Sequence, residues 1–314
     1  MEKQKVIIIC GPTSSGKTAL AFRLAGERKS SIISADSRQV YRGLDTVTGR
    51  DIPAAFIRKD STPRFKDRPV VVYEKDNIRL WGFELLFPDE TYNAADFSDL
   101  TGRVVRQEQA EDRTVFIVGG TGFFLKALTE PDSLAPTIPD ENLRAQLSSL
   151  SKEELAEKLW ETNPQRFVAL NQSDASNPRR LIRAIEVAQT STQPKPAPPL
   201  PQLNFVWVGI KLPLPEIIVK IGSRVKNRLA KAVSEVATLL AVYPDQSLPI
   251  YTTLGVKPIL KFLAGEITRE QLQELWVTDE ANYAKRQITW FKKQKTIIWY
   301  DQSSLGKIKL DELL

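Results

Sequence analysis

Histidine is missing altogether from the 314 residues, and cysteine and methionine occur once each. Without histidine, any proton accepted in a reaction must go to Asp, Glu, Tyr or Lys. With Cys10 as the lone thiol, a disulfide framework is excluded, and so are zinc sites built on thiolate or imidazole. Long apolar runs are lacking too. No stretch approaches the ~20 residues of a membrane span, and residues 6–9 are too short a run for the apolar core of a secretion signal. The expectation is a cytoplasmic protein without a membrane partner. Neither sign of charge dominates: 44 Lys and Arg against 38 Asp and Glu leave +6, which permits a polyanionic partner without requiring one.

What is present describes an ordinary globular chain, 42% hydrophobic and 26% charged, long enough for a substantial core. Val6-Ile-Ile-Ile-Cys10 is a continuous β-branched run, the pattern of a strand buried on both faces of a parallel sheet. A glycine-containing turn follows, then helical spacing over residues 18–25. Residues 31–34 and 115–118 repeat the short apolar pattern, the latter ending in Gly119-Gly120. Strands alternating with helices predict an α/β fold with a mostly parallel sheet flanked by helices. Residues 70–73 and 78–81 flank a charged turn and predict a β-hairpin. Residues 203–210 return to the sheet, and a short strand is expected near Trp299.

Between these stretches the pattern changes. Pro139-Asp-Glu-Asn142 has the acidic first turn of a helix, and Ser151-Lys-Glu-Glu154 forms a capping box. Asn177-Pro178 pairs an N-cap with proline at the first helical position. Residues 193–201, with five prolines, predict a stiff linker. Residues 131–201 therefore form an inserted helical subdomain with a Pro-rich exit, and residues 1–130 and 202–314 form the core.

Gly11-Pro12-Thr13-Ser14-Ser15-Gly16-Lys17-Thr18 matches G-x-x-x-x-G-K-[ST] at every fixed position, with a strand before it and a helix after it. Loop amides and a helix N-terminus attract anions, Lys17 adds a full charge, and the Thr18 hydroxyl can hold Mg²⁺. The pattern predicts a di- or triphosphate ligand. A conventional ATPase of this class places an Asp at the end of a second buried strand to hold the metal. Residues 115–118 end instead in Gly119-Gly-Thr-Gly122, without an acid. The nearest carboxylate at a strand end is Asp36, where an open α/β sheet gathers its ligands. Asp36 is either a general base or a turn residue, and position alone leaves the two equal. Arg224, Arg228 and Lys231 share one helix face, which by itself favours a solvated basic stripe. Lys285, Arg286, Lys292, Lys293 and Lys295 surround Gln287, Trp290 and Phe291, a mixture suited to RNA, although the two aromatics are better placed in a core.

Taken together, these segments resemble the tRNA dimethylallyltransferase (isopentenyltransferase) family. The match runs through the phosphate loop, Ile33-Ser-Ala-Asp-Ser-Arg-Gln-Val-Tyr-Arg-Gly-Leu-Asp45, Tyr92-Asn-Ala-Ala-Asp-Phe97 and Gly119-Gly-Thr-Gly122. It continues through Asn177-Pro-Arg-Arg-Leu-Ile-Arg-Ala-Ile-Glu-Val187, Leu254-Gly-Val-Lys257 and Tyr283-Ala-Lys-Arg-Gln-Ile-Thr-Trp-Phe291. No Cys/His zinc finger is seen, so the resemblance is to the bacterial form. Trp81-Gly-Phe-Glu-Leu-Leu-Phe87 stands where the family usually carries His-His-Leu.

The resemblance implies dimethylallyl diphosphate as donor and the N6 amine of the adenosine 3′ of the anticodon as acceptor; Mg²⁺ is the expected cofactor, and a monomer is expected. It implies that residues 11–18 and Arg224 hold the diphosphate and that Asp36 accepts the N6 proton, with Lys17, Thr18 and Arg224 assisting. Ser37, Arg38, Gln39, Thr121, Lys257, Lys285, Arg286 and Gln287 are expected at the tRNA, as are Arg179, Arg180 and Arg183 of the helical subdomain. The alternatives are a small-molecule P-loop kinase, an isopentenyltransferase acting on free adenine nucleotides, and an RNA-binding protein without catalysis.

Overall fold

The computed structural model describes residues 5–131, 140–189 and 203–314. Two compact units divide the chain: Met1–Pro131 with Gln202–Leu314, and Asp132–Pro201.

In the larger unit, strand β1 (Lys5–Cys10) leads through the glycine-rich turn into helix α1 (Lys17–Ala25), then to β2 (Ser30–Ser34) and the single turn α2 (Asp45–Thr48). Three strands follow, β3 (Ile57–Phe65), β4 (Arg68–Lys75) and β5 (Ile78–Trp81). Helix α3 (Ala94–Ala110) opens with a reciprocal capping box between Asn93 and Asp96, which satisfies orphan amides of its first turn. Strand β6 (Thr114–Gly119) and helix α4 (Gly122–Thr129) close this part.

Among the described residues the smaller unit is helical: α5 (Glu141–Ser148), α6 (Lys152–Thr162), α7 (Pro164–Val168), α8 (Gln172–Ala175) and α9 (Pro178–Gln189). The expected caps are in place. Asp140 accepts from the Leu143 amide, Ser151 and Glu154 form the box, and Asn177 accepts from the Arg179 amide. Leu147, Leu155, Leu159, Leu181 and Ile185 make its core. Residues 193–201, expected as the stiff linker, lie outside the described residues, as does Pro139.

The chain then returns to the larger unit with β7 (Asn204–Lys211), the long helix α10 (Leu214–Val242), α11 (Val256–Leu263), α12 (Arg269–Phe291) and β8 (Ile298–Asp301). The eight strands form one sheet in the order β3-β4-β5-β2-β6-β1-β7-β8. From β5 to β8 all neighbours run parallel. Central β1 is fully buried from Val6 to Cys10, as its unbroken apolar run requires.

The expected hairpin is present, with Tyr73 opposite Leu80, but it is part of the main sheet. Strand β5 pairs in parallel with β2, and β3, which the sequence did not suggest, forms the edge. Ile-Arg-Lys-Asp-Ser-Thr-Pro-Arg-Phe is mostly exposed and its register shifts between Asp60 and Arg64. Charge, proline and a bulge are how sheet edges avoid pairing with other chains, and they also conceal a strand from a hydrophobicity pattern.

Candidate active site around the phosphate loop

The loop between β1 and α1 is held in a conformation that few side chains tolerate. Gly11 has φ 139°, and a Cβ there would meet the Ile210 carbonyl oxygen at 2.9 Å. The Lys17 ammonium donates to the Pro12 carbonyl at 2.6 Å, curling over the loop. The Ser14 and Ser15 hydroxyls are buried and make no hydrogen bond to the described residues. The site thus carries spare donors before any anion arrives, the condition for anion capture at a helix N-terminus.

Burial pushes the Lys17 ammonium down to about 8, and the neighbouring Arg224 cation pushes the same way. Cys10 and Asp36 oppose these effects only in part. An incoming diphosphate favours the charged form, so binding takes up a proton where free Lys17 is partly neutral. Pyrophosphate affinity is therefore expected to fall as pH rises through about 8. Titration calorimetry across pH, with Lys17→Ala as reference for the ligand's own ionisation, measures the difference.

Arg224 reaches the loop from α10. Its guanidinium donates to the Thr13 hydroxyl at 3.2 Å and to the Gly49 carbonyl at 3.1 Å, and lies 3.7 Å from the Asp51 carboxylate. One turn on, Arg228 is buried and bonded to Glu280 at 2.8 Å and to the Thr46 carbonyl at 3.1 Å. Glu235 accepts from the Thr46 and Val47 amides at 2.9 Å, capping α2. The row at 224, 228 and 231 is thus not a solvated stripe. Arg224 faces the cavity, Arg228 fastens α10 to α12, and only Lys231 is exposed.

Asp36 follows the end of β2. One oxygen accepts from the Arg38 amide at 2.8 Å and from the Gln39 amide at 3.3 Å. The turn role is therefore real, yet it occupies one oxygen only. The other bonds to none of the described residues, and Asp36 lines the cavity. Gln39 bonds to Ser34 and to the Gly49 carbonyl, and Arg38 to the Thr252 hydroxyl at 2.6 Å, while Ser37 lines the cavity beside them.

Opposite lies the end of β6. The Thr121 amide donates to the Ala35 carbonyl at 3.4 Å, which sets this turn beside Asp36. Gln287 of α12 donates to the Gly120 carbonyl at 3.0 Å and accepts from the Thr13 amide at 2.8 Å. A Cβ on Gly120 would collide with the Gln287 amide, so glycine is needed for this approach. Gln287 was expected on an RNA surface. It is instead 5% exposed, with both ends of its amide spent on backbone, and it stitches the phosphate loop to the neighbouring strand end. Gln287→Leu leaves the Thr13 amide unpaired and should lower stability by about 1–3 kcal/mol, the usual cost of an orphaned buried donor. Denaturant unfolding measures it.

These groups enclose a cavity of about 430 Å³. Thr13, Ser14, Lys17, Thr18, Asp36 and Arg224 contribute polar walls, and Phe22, Ile32, Ile52, Leu80 and Phe83 apolar ones. Strand β5 and its exit therefore supply apolar wall where the sequence departs from the resemblance. Among the described residues no group of three Cys, Asp or Glu side chains could hold a metal. Thr18 is exposed at the head of α1 and its hydroxyl has no partner among them. That suits Mg²⁺, which typically takes few protein ligands and completes its shell with phosphate oxygens and water.

Lys257, Lys285 and Arg286 are exposed, with Arg286 stacked over the Tyr283 ring at 5.6 Å. Phe291 is fully buried in the core, and Trp290, half-buried, packs over Gly122. In the smaller unit Arg179 is exposed, Arg180 pairs with Asp174, and Arg183 donates to buried Glu186 at 3.2 Å. Arg183 is thus engaged in holding its own unit together, a use its helix position did not reveal.

Residues 70–294 match the family model described as IPP transferase, and residues 4–65 match the one described as isopentenyl transferase. The chain belongs to the IPP transferase family. It is 32% identical to a tRNA dimethylallyltransferase of Thermomicrobium roseum, covering 98% of this chain and 89% of the relative. The enzyme of the same name from Maridesulfovibrio salexigens is 33% identical over 96% and 94%. The structure is similar to a full-length tRNA isopentenylpyrophosphate transferase of Bacillus halodurans, with TM-score 0.67, 26% identity and coverage of 99% and 98%. A eukaryotic dimethylallyltransferase acting on tRNA shares the fold, with TM-score 0.71, 19% identity and coverage of 97% and 75%.

Proposed function

We propose that this transferase moves a dimethylallyl group from dimethylallyl diphosphate to N6 of the adenosine 3′ of the anticodon in tRNA, releasing diphosphate. One observation carries the reading. A loop built to hold phosphates and a carboxylate with an open oxygen line a single cavity that also has apolar walls. Apolar walls beside a phosphate loop suit a donor that carries a five-carbon chain on its diphosphate.

In the reaction the allylic carbon–oxygen bond breaks, and the diphosphate leaves with the electron pair. The N6 lone pair forms the new carbon–nitrogen bond, and Asp36 takes the N6 proton. Loop amides, Lys17 and Arg224 stabilise charge on the leaving group from preset positions. Mg²⁺ bound through Thr18 would neutralise part of the same charge. The base must leave its stack to reach Asp36, so it enters flipped. Exposed Lys257, Lys285 and Arg286 offer phosphate contacts, as does Arg179 on the smaller unit. No helix among the described residues is long and apolar enough to cross a membrane, and a tRNA acceptor supports work in the cytoplasm.

The test is mass spectrometry of tRNA nucleosides after incubation with protein and dimethylallyl diphosphate. N6-dimethylallyladenosine is the expected product. Label transferred from ATP instead, with unmodified tRNA, would replace this reading with a kinase.

A further inference from the structure

Tyr283 is a group in the cavity that the reaction above does not use. It lies one turn before Gln287 on α12, so the two side chains share a helix face. Gln287 is fixed at both ends, to Gly120 and to Thr13. The Gly120 turn is fixed in turn, through the Thr121 amide, to the residue before Asp36. This chain of contacts sets the Tyr283 phenol beside the carboxylate, half-buried in the same cavity wall. Arg286 over the ring holds its orientation.

The phenol donates no hydrogen bond to any described residue. Thr121 and Gln287 lie beside the phenol oxygen, each offsetting part of its upward shift, and the Thr121 hydroxyl makes no hydrogen bond to a described residue. Burial first, and then the Asp36 charge, push the phenol up to about 12, so it keeps its proton at every working pH. It is a neutral donor and not a base.

Resting on the proposed prenyl transfer, we propose that Tyr283 binds the acceptor base by donating its phenolic hydrogen to a ring nitrogen of the adenine whose exocyclic amine faces Asp36. On adenine an acceptor nitrogen flanks the amine on either edge, N1 on one and N7 on the other. A carboxylate beside a neutral donor is complementary to either amine-and-nitrogen pair. Guanine, with a carbonyl in place of the amine, would set oxygen against carboxylate. A neutral donor also suits the chemistry, because a cation at the ring nitrogen would withdraw density from N6 and weaken the nucleophile.

The test uses anticodon stem-loop RNAs bearing adenosine, 1-deazaadenosine or 7-deazaadenosine at the target position, with the wild-type protein and Tyr283→Phe. On adenosine the variant should lose about tenfold in kcat/KM for the RNA, the loss of one hydrogen bond. Its KM for dimethylallyl diphosphate, its pyrophosphate affinity and its thermal unfolding should not move. On one of the two deaza acceptors, wild type and variant should react equally, because the nitrogen that the phenol serves is gone. Equality on 1-deazaadenosine assigns N1, and on 7-deazaadenosine N7. An identical loss on all three acceptors, no loss on adenosine, or a fall in pyrophosphate affinity overturns the proposal. Absence of transfer by the wild type to the adenosine stem-loop would instead overturn the prenyl-transfer reading itself.

Discussion

Asp36→Asn should lower the rate of prenyl transfer by about 10²–10⁴-fold, the usual worth of a general base, and leave tRNA affinity within a few-fold. Asparagine is the informative change because Asp36 does two things. One oxygen closes a turn by accepting from the Arg38 and Gln39 amides. Asparagine keeps that acceptor, so the turn, the Arg38 bond to Thr252 and the cavity wall persist. What it loses is proton affinity on the open side. Asp36→Ala loses the turn as well, and any further loss beyond asparagine measures what the turn adds. Single-turnover rates with saturating donor separate chemistry from binding. A variant with unchanged turnover would leave Asp36 as a turn residue only, and the proton would need another acceptor.

The parts of the site that one segment builds alone were legible in the sequence. The loop of residues 11–18 is local, and its glycines, lysine and threonine sit at fixed spacing between a strand and a helix. Asp36 at the end of β2 was legible for the same reason, since parallel strands deliver their C-terminal ends to one crevice. What could not be read is how distant segments meet. Gln287 fits a basic, aromatic-rich stretch and so looked like RNA surface. Its phase told otherwise: Leu272, Trp276, Glu280, Ala284, Gln287 and Phe291 follow at intervals of three or four and form the buried stripe of α12. Two polar residues in an apolar stripe mark buried hydrogen bonds, and these are the bonds to Thr13, Gly120 and Arg228. The same logic applies to Arg228, whose charge suggested solvent until its partner Glu280, 52 residues away, was in view. Strand β3 was invisible because an edge strand with polar side chains carries no hydrophobic period.

Lys17→Met should reduce kcat/KM for the donor by about 10²–10³-fold, the loss typical when one preset charge or donor at a leaving group is removed. Stability should be preserved or raised. Lys17 and Arg224 are two cations sharing one wall, and burial already disfavours the lysine charge. Its folded value, about 8, lies below the ordinary 10.5, so between those pH values the folded protein binds fewer protons than the unfolded chain. The lysine therefore makes stability rise with pH across that window, and its charge works against folding below it. Methionine has similar length, removes the charge and removes that slope. The Pro12 carbonyl loses its donor, a smaller effect at a loop water can reach. Thermal unfolding at pH 7 and pH 9 should show wild type gaining stability over this interval and Lys17→Met gaining less. A site that holds two cations together at a cost to the empty protein makes physical sense when an anion with more than one negative charge arrives to neutralise them. The diphosphate is such an anion, and its departure from carbon is the moment at which both charges act most strongly. If Lys17→Met kept donor kinetics intact, the loop would not be the diphosphate site, however well its backbone fits one.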